Sequence, residues 1–272
     1  MLLLLALVAT LAATAPDGTL TELGPSGVVH QLGPGFEAAW SPDGLRLAFV
    51  RGGDVWTIDA AGGAGRQLTT DGAASTPVWS PDSTRLAWVD GGLLAVATSD
   101  GGTPKILADG LTAAPAWSPD GSRLAFERRA GADAALEVVP AGGGVPQRLG
   151  FGASTAAPAW QGSTIAYLDN HRLLLWPGHR RLAPALTVTS APSRHGASIA
   201  VSGPGGVYLV AGKRVRSLGK GAGPVFSADG ARLAFTLGIG LWQMNGDGTC
   251  RARVGAYVQP VWAPGLVGRL HC

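Results

Sequence analysis

The chain has 272 residues, among them 42 glycines, 19 prolines and nine tryptophans, with 46% hydrophobic and only 14% charged residues. So many glycines exclude a helical bundle or coiled coil, because each costs about 1 kcal/mol in a helix interior, and so much apolar surface excludes a disordered chain. The net charge of +3 is unevenly spread: residues 170–228 hold eight basic and no acidic groups, while residues 1–169 are net negative. A basic sector of this kind attracts an anionic partner.

In chain order, the first feature is the apolar run Leu2 to Ala15. At 1.5 Å per residue it is too short to span the roughly 30 Å hydrocarbon core as a helix. Small residues at its end give it the character of a signal-peptide apolar region. No basic residue precedes it, the first being Arg46, and Pro16 moves the expected cut a residue or two before Ala15. The expected organisation is a signal peptide over residues 1–15 and a single domain over 16–272. The protein is then exported, to the periplasm or the extracellular space. No later stretch is long enough to span a bilayer.

Beyond the run, one unit recurs. Ala39-Trp40-Ser41-Pro42-Asp43-Gly44-Leu45-Arg46-Leu47-Ala48-Phe49 returns from Val78 to Trp88, from Ala116 to Phe126 and from Val225 to Phe235. Weaker copies start at Ala159, at Val261 and, badly eroded, at Ser193. Each copy reads as a strand, a tight Pro-Asp-Gly turn and a second strand. Two further short strands follow, as in Val55-Trp56-Thr57-Ile58 and Arg66-Gln67-Leu68-Thr69. Four short strands repeated about every 37 residues (six intervals between Trp40 and Trp262) are the pattern of a β-propeller blade.

Seven first-and-second strand pairs occur, but only six third-and-fourth pairs follow them. The missing pair is supplied by Thr19 to Gly33, which matches Leu136 to Gly150 at Gly27/Gly144, Val28/Val145, Leu32/Leu149 and Gly33/Gly150. The expected fold is therefore all-β: a propeller of seven four-stranded blades, with the last blade shared between the termini. Its first two strands are expected from the C-terminus and its last two from the N-terminus. Such closure hides sheet edges. A six-bladed ring is the alternative.

On the Trp-Ser-Pro-Asp-Gly-x-Arg-Leu-Ala-Phe core, the chain resembles the TolB-like, or WD-type, β-propeller repeats of bacterial envelope proteins. The resemblance spans residues 19–272 and is sharpest around Trp40 and Trp117. It implies a ring that binds proteins or other ligands at a face or in a central funnel, and it implies no reaction. Members that resemble TolB usually have six blades, so seven is a departure. The resemblance is to the propeller part alone, and the additional α/β domain of TolB is not expected in these residues.

The recurring Asp and Arg of the turns (Asp43/Arg46, Asp82/Arg85, Asp120/Arg123, Asp229/Arg232) read as structural, with Asp fixing the turn and Arg solvated. The Trp residues read as packing between blades. For a ligand site, the expected place is the face carrying the loops between second and third strands. Arg128, Arg129 and Asp133 sit on the longest of these, and Asp169, Asn170 and His171 on its neighbour. A second candidate is the basic patch Arg180, Arg181, Lys213, Arg214 and Arg216 on predicted outer strands. There charges blunt a sheet edge or dock an anionic partner.

Enzyme signatures are lacking. There is no Gly-x-Ser-x-Gly, His-Glu-x-x-His, phosphate-binding Gly-Lys-Ser/Thr loop or dinucleotide fingerprint, and the five His are dispersed. No catalytic residue, metal ligand or cofactor is expected. A propeller hydrolase or lyase with a channel metal drawn from several blades is the alternative. The expected partners are an envelope protein or an anionic polymer, not nucleic acid, and the expected state is a monomer. Cys250 and Cys272 are expected to form a disulfide closing a loop of about 20 residues, worth roughly 3 kcal/mol in the chain-entropy view.

Overall fold

The structure is a computed structural model that describes residues 11–24, 27–111, 113–131, 133–151, 156–265 and 270. The chain opens with β1 (Leu11–Thr14), β2 (Thr19–Gly24) and β3 (Gly27–Pro34). Blade 1 follows as β4 (Phe36–Trp40), β5 (Arg46–Arg51), β6 (Asp54–Asp59) and β7 (Arg66–Gln67). Blade 2 is β8 (Ala74–Trp79), β9 (Arg85–Asp90), β10 (Leu93–Thr98) and β11 (Lys105–Ala108). Blade 3 is β12 (Ala116–Trp117), β13 (Arg123–Ala130), β14 (Asp133–Pro140) and β15 (Gln147–Phe151). Blade 4 is β16 (Ala159–Gln161), β17 (Thr164–Asp169), β18 (Arg172–Trp176) and β19 (Arg180–Arg181). Blade 5 is β20 (Ser193–His195), β21 (Ser198–Gly203), β22 (Gly206–Ala211) and β23 (Arg214–Gly219). Blade 6 is β24 (Ala222–Phe226), β25 (Arg232–Leu237), β26 (Gly240–Asn245) and β27 (Ala252–Gly255), and β28 (Val258–Trp262) ends the strand order.

Seven antiparallel four-stranded sheets result, each meandering from an inner strand A to an outer strand D. The A strands of successive blades touch one another in a closed cycle, with β28 touching β4. The fold is thus a seven-bladed β-propeller.

The shared blade 7 has the order β28-β1-β2-β3, so three strands come from the N-terminus and one from the C-terminus. The expected two-and-two split is corrected. Leu11 pairs with Trp262 as Leu47 pairs with Trp40 and Leu86 with Trp79. Leu11-Ala12 is therefore the seventh copy of a Leu/Ile-Ala step present in every B strand, with Ile only in blades 4 and 5. All four residues of β1 are buried. The propeller begins no later than Leu11, rather than at residue 16, and the end of the expected signal peptide is part of the ring. Residues 1–10, the rest of that segment, lie outside the described residues.

The repeat also explains where the core sits. In a strand, alternate side chains face opposite sides. Leu47 and Phe49 face blade 7 while Ala48 faces blade 2. Leu86 and Trp88 face blade 1 while Ala87 faces blade 3. Among the described residues, seven apolar clusters form, and each joins two neighbouring blades. β1 serves two of them: Leu11 and Ala13 pack with blade 6, and Ala12 with blade 1.

A chain starting at Pro16 lacks β1 and leaves β28 unpaired on that side. We expect it to lose the cooperative thermal transition of the full chain by circular dichroism. An unchanged melting temperature would contradict the three-plus-one closure.

Candidate ligand-binding site

The recurring polar residues are occupied within the scaffold. Ser41 Oγ donates to Asp43 Oδ1 at 2.6 Å and accepts from the Arg46 N–H at 2.9 Å, while Asp43 Oδ1 also accepts from the Leu45 N–H at 3.0 Å. The same arrangement recurs at Ser80/Asp82, Ser118/Asp120 and Ser227/Asp229. The arginines are not simply solvated, as the sequence suggested. The Arg46 guanidinium lies 4.8 Å from the centre of the Trp79 ring in the next blade, and Arg85 lies 4.7 Å from that of Trp117. Each also donates to a carbonyl in that blade's turn: Arg46 to Ser83 at 2.7 Å and Arg85 to Gly121 at 2.8 Å. The Trp79 indole N–H reaches back to the Ala39 carbonyl at 2.9 Å. Arg and Trp thus clamp neighbouring blades through a cation–π contact and hydrogen bonds.

Between blades 4 and 5 the clamp is inverted. Thr164 stands at the arginine position and Arg194 at the tryptophan position, and Arg194 Nη1 donates to the Thr164 hydroxyl at 3.0 Å. Burial lowers the Arg194 pKa from its ordinary value.

In the funnel, inner-strand side chains hold the backbone at bulges. The Glu37 carboxylate accepts from the Thr76 N–H at 2.6 Å, and Gln259 Oε1 from the Glu37 N–H at 3.4 Å.

The expected loop residues separate into different environments. Arg128 is committed to the scaffold, with its guanidinium bonded to Asp109 of blade 2 and 3.8 Å from the Glu137 carboxylate. Arg129 has an exposed side chain, and its N–H donates to the Gly110 carbonyl at 2.8 Å. Asp133 begins β14 and pairs with Ala130; its side chain lies outside the described ones. Asn170 and His171 are the two turn residues between β17 and β18, with φ of 46° and 63°. Asn tolerates such angles well, and they suit the hairpin twist.

His171 Nδ1 lies 3.0 Å from the Val188 carbonyl. A carbonyl only accepts, so Nδ1 carries the proton and Nε2 is the remaining ring nitrogen. With Arg172, Arg181 and Pro184, Asn170 and His171 line a hollow of about 320 Å³. Arg181 Nη2 donates to the Pro184 carbonyl at 2.6 Å. One hollow therefore unites residues from both expected sites.

The rest of the basic patch is exposed on outer strands: Arg180 on β19, Lys213 in the turn before β23, and Arg214 and Arg216 on β23. Arg214 and Arg216 line a groove of about 550 Å³ with Leu209, Val215 and Asp247. Cys250 is partly buried, and Cys272, its expected partner, lies outside the described residues.

Asp169 belongs to a different cavity, a cleft of about 390 Å³ between blades 3 and 4. Arg148, Leu149 and Gly150 of β15 form one wall, and Tyr167, Leu174 and His179 the other. The Tyr167 hydroxyl is 2.7 Å from His179 Nδ1. Burial first, then the negative charges of Asp169 and Glu127, push the Tyr167 pKa up to about 12. The phenol therefore stays protonated at neutral pH, as a hydrogen-bonding group of the wall. The sequence reading had not picked out Tyr167, Arg148 or His179 for such a cleft. Among the described residues, no three His, Cys, Asp or Glu side chains form a group able to hold a metal.

No protein-family model and no curated protein matches the chain. Its fold does match solved structures. The putative TolB from Agrobacterium tumefaciens aligns with a TM-score of 0.53 at 18% identity, over 91% of this chain and 88% of that one. TolB from Acinetobacter baumannii aligns with a TM-score of 0.56 at 18% identity, over 84% of this chain and 66% of that one. The β-propeller domain of the Trilobed protease from Pyrococcus furiosus, described as having an open velcro topology, aligns with a TM-score of 0.64 at 11% identity, over 93% and 99%. At such identities the likeness shows the propeller fold and not an activity.

The turn carboxylates generate a pH prediction. The Asp82 pKa is lowered to about 2, chiefly by the Ser80 hydroxyl and then by the Thr84 N–H. Its folded pKa lies below the unfolded value near 4, so its stabilisation is present above about pH 4 and is lost as pH falls through about 2. Urea unfolding should therefore show Asp82→Asn destabilised at pH 7, with the gap from wild type shrinking towards pH 2.

Proposed function

We propose that this protein is an exported, non-catalytic binding propeller of the cell envelope that engages an anionic partner through blades 4 and 5. One observation carries the reading. Two concave surfaces on these adjoining blades are lined by arginines, Arg172 and Arg181 in one and Arg214 and Arg216 in the other; residues 170–228 contain no acidic group, and Asp247 of blade 6 is the one carboxylate in the described lining of the second. The fold likeness to TolB supports a binding role for the ring. A rigid ring with charged loops and strand edges selects partners by electrostatic complementarity. Exposed charges lose reach beyond about 8 Å at physiological ionic strength, so the contact is salt-sensitive.

A heparin oligosaccharide serves as a model anionic polymer. We expect binding that weakens steeply between about 50 and 300 mM salt and drops about tenfold or more in the Arg214→Glu/Arg216→Glu variant. Salt-independent binding, or wild-type affinity in the variant, would reject the reading.

Export is part of the proposal and rests on the apolar run from Leu2. It requires that processing spare Leu11–Thr14, since these residues build blade 7. The intact mass of the exported, folded chain should include Leu11; a folded product starting at Pro16 would be inconsistent with this.

A further inference from the structure

The cleft between blades 3 and 4 has counterparts elsewhere in the ring, and two of these contain an arginine. Where β3 faces blade 1, Gly33 pairs with Leu20 beside a register shift. The Arg51 guanidinium lies there, 4.9 Å from the centre of the Phe49 ring and 5.2 Å from that of Trp56, and donates to the carbonyls of Leu32 at 3.1 Å and Pro34 at 2.7 Å. A Cβ on Gly33 would come 3.4 Å from Arg51 Nη2.

Where β23 faces blade 6, Gly219 pairs with Val207 beside the same kind of shift. Arg251 lies 4.6 Å from the Phe235 ring centre and 5.0 Å from that of Trp242, and donates to the Lys220 carbonyl at 2.7 Å. A Cβ on Gly219 would come 3.3 Å from Arg251 Nη1. In both places an aromatic cross-strand pair, Phe49 with Trp56 or Phe235 with Trp242, forms the seat.

Blade 4 keeps the slot and changes its occupants. Gly150 pairs with Leu136 beside a register shift, as Gly33 and Gly219 do with their partners. The seat is Tyr167 paired with Leu174. Asp169, two residues after Tyr167, stands where Arg51 follows Phe49. His179 stands where Arg251 does, one residue before the D-strand residue that pairs with the third strand. A Cβ on Gly150 would come 2.8 Å from His179 Cε1, so the imidazole reaches the glycine, but it is shorter than an arginine. It meets Tyr167 edge-on with ring centres 6.2 Å apart, and the cleft of about 390 Å³ remains beside it. Both arginine counterparts are gone, and a carboxylate has taken the place of one of them.

We propose that this cleft binds a guanidinium group brought by a ligand, seated over the Tyr167 ring, with Asp169 as its counter-charge and the Leu149 carbonyl, the counterpart of that of Leu32, as acceptor. The negative surroundings of the Tyr167 hydroxyl, set by Asp169 and Glu127, favour a cation there. Arg148 at the opposite wall is set across from Glu137 by the strand register. The inference stands apart from the anionic partner of blades 4 and 5, because it takes the opposite charge in another cavity.

The test is calorimetric titration of the full chain with agmatine, with the peptide N-acetyl-Gly-Arg-Gly-amide, and with the same capped peptide carrying citrulline in place of its arginine as the neutral near-isostere. Saturable binding of a guanidinium probe, with the citrulline peptide at least about tenfold weaker, is the expected result. Stronger binding of agmatine identifies a free small molecule as the source of the group, and stronger binding of the peptide a partner's side chain. Asp169→Asn should weaken binding about tenfold or more. Asp169→Arg rebuilds the blade 1 pattern; it should abolish binding while keeping the wild-type circular dichroism and a melting temperature at or above wild type. The proposal is overturned if neither guanidinium probe binds at millimolar concentration, if the citrulline peptide binds equally well, or if a folded Asp169→Arg variant binds as wild type.

Discussion

Packing of a large side chain from one blade against an alanine of its neighbour is the constraint on which the ring depends. Each B strand but that of blade 7 presents Leu or Ile, then Ala, then a bulkier residue, with the bulky positions facing the preceding blade and the Ala the following one. A single blade therefore has no core of its own. Each cluster exists only when two blades meet, so an open end would leave apolar faces in water. Truncating one such buried leucine to alanine typically costs about 2–5 kcal/mol. An uncompleted blade 7 would forfeit two whole clusters. Closure from both ends of the chain follows from this, and it explains why the short strand Leu11–Thr14 is buried throughout.

The Arg–Trp clamp adds direction to that apolar packing. It joins the start of the B strand in blades 1, 2 and 3 to the A strand of the next blade, as Arg46 to Trp79, Arg85 to Trp117 and Arg123 to Trp160 show. It needs a cation on one side and a polarisable or hydrogen-bonding partner on the other. Between blades 4 and 5 both needs are met with the residues exchanged, Thr164 accepting from Arg194. The exchange removes the aromatic residue from the repeat of blade 5, which still has four strands.

Most of the fold was legible because the repeat writes strand, turn and strand in one short phrase. The blade count, the shared blade and the turns can be read from Trp40, Pro42, Asp43 and their copies. The B strand of blade 7 was not legible as such. Leu11-Ala12 carries the right pair of residues, but it lies within a longer apolar run whose character points to a different role. The arginines were misjudged for another reason: the ring that Arg46 covers belongs to Trp79, more than thirty residues away, so local reasoning sees only an exposed turn. Half of the candidate surface was visible as charge. The union of His171 and Arg181 in one hollow needed the connection from β19 to β20 to fold back, held by His171 against Val188.

The cleft at Tyr167 shows how a repeat protein can reveal a site by departing from itself. In a single sequence, Asp169 is one more loop carboxylate. Set against Arg51, it puts a carboxylate beside a glycine slot of the kind that in blade 1 holds a cation. Leu174 against Trp56 and Trp242 marks lost aromatic volume, and His179 against Arg251 marks lost reach. Each change alone would loosen an inter-blade seam. Together they retain the glycine and the seat while removing the arginine, so the scaffold gives up here a local tie that the seams at Gly33 and Gly219 keep. Such a concession is sustainable because the Ile165, Tyr167, Ala125, Leu136 and Val138 cluster deeper in the same gap remains closed. Natural sequences that break a local rule while keeping its surroundings tend to do so at functional sites, and here the broken rule also specifies the charge of what would fill the space.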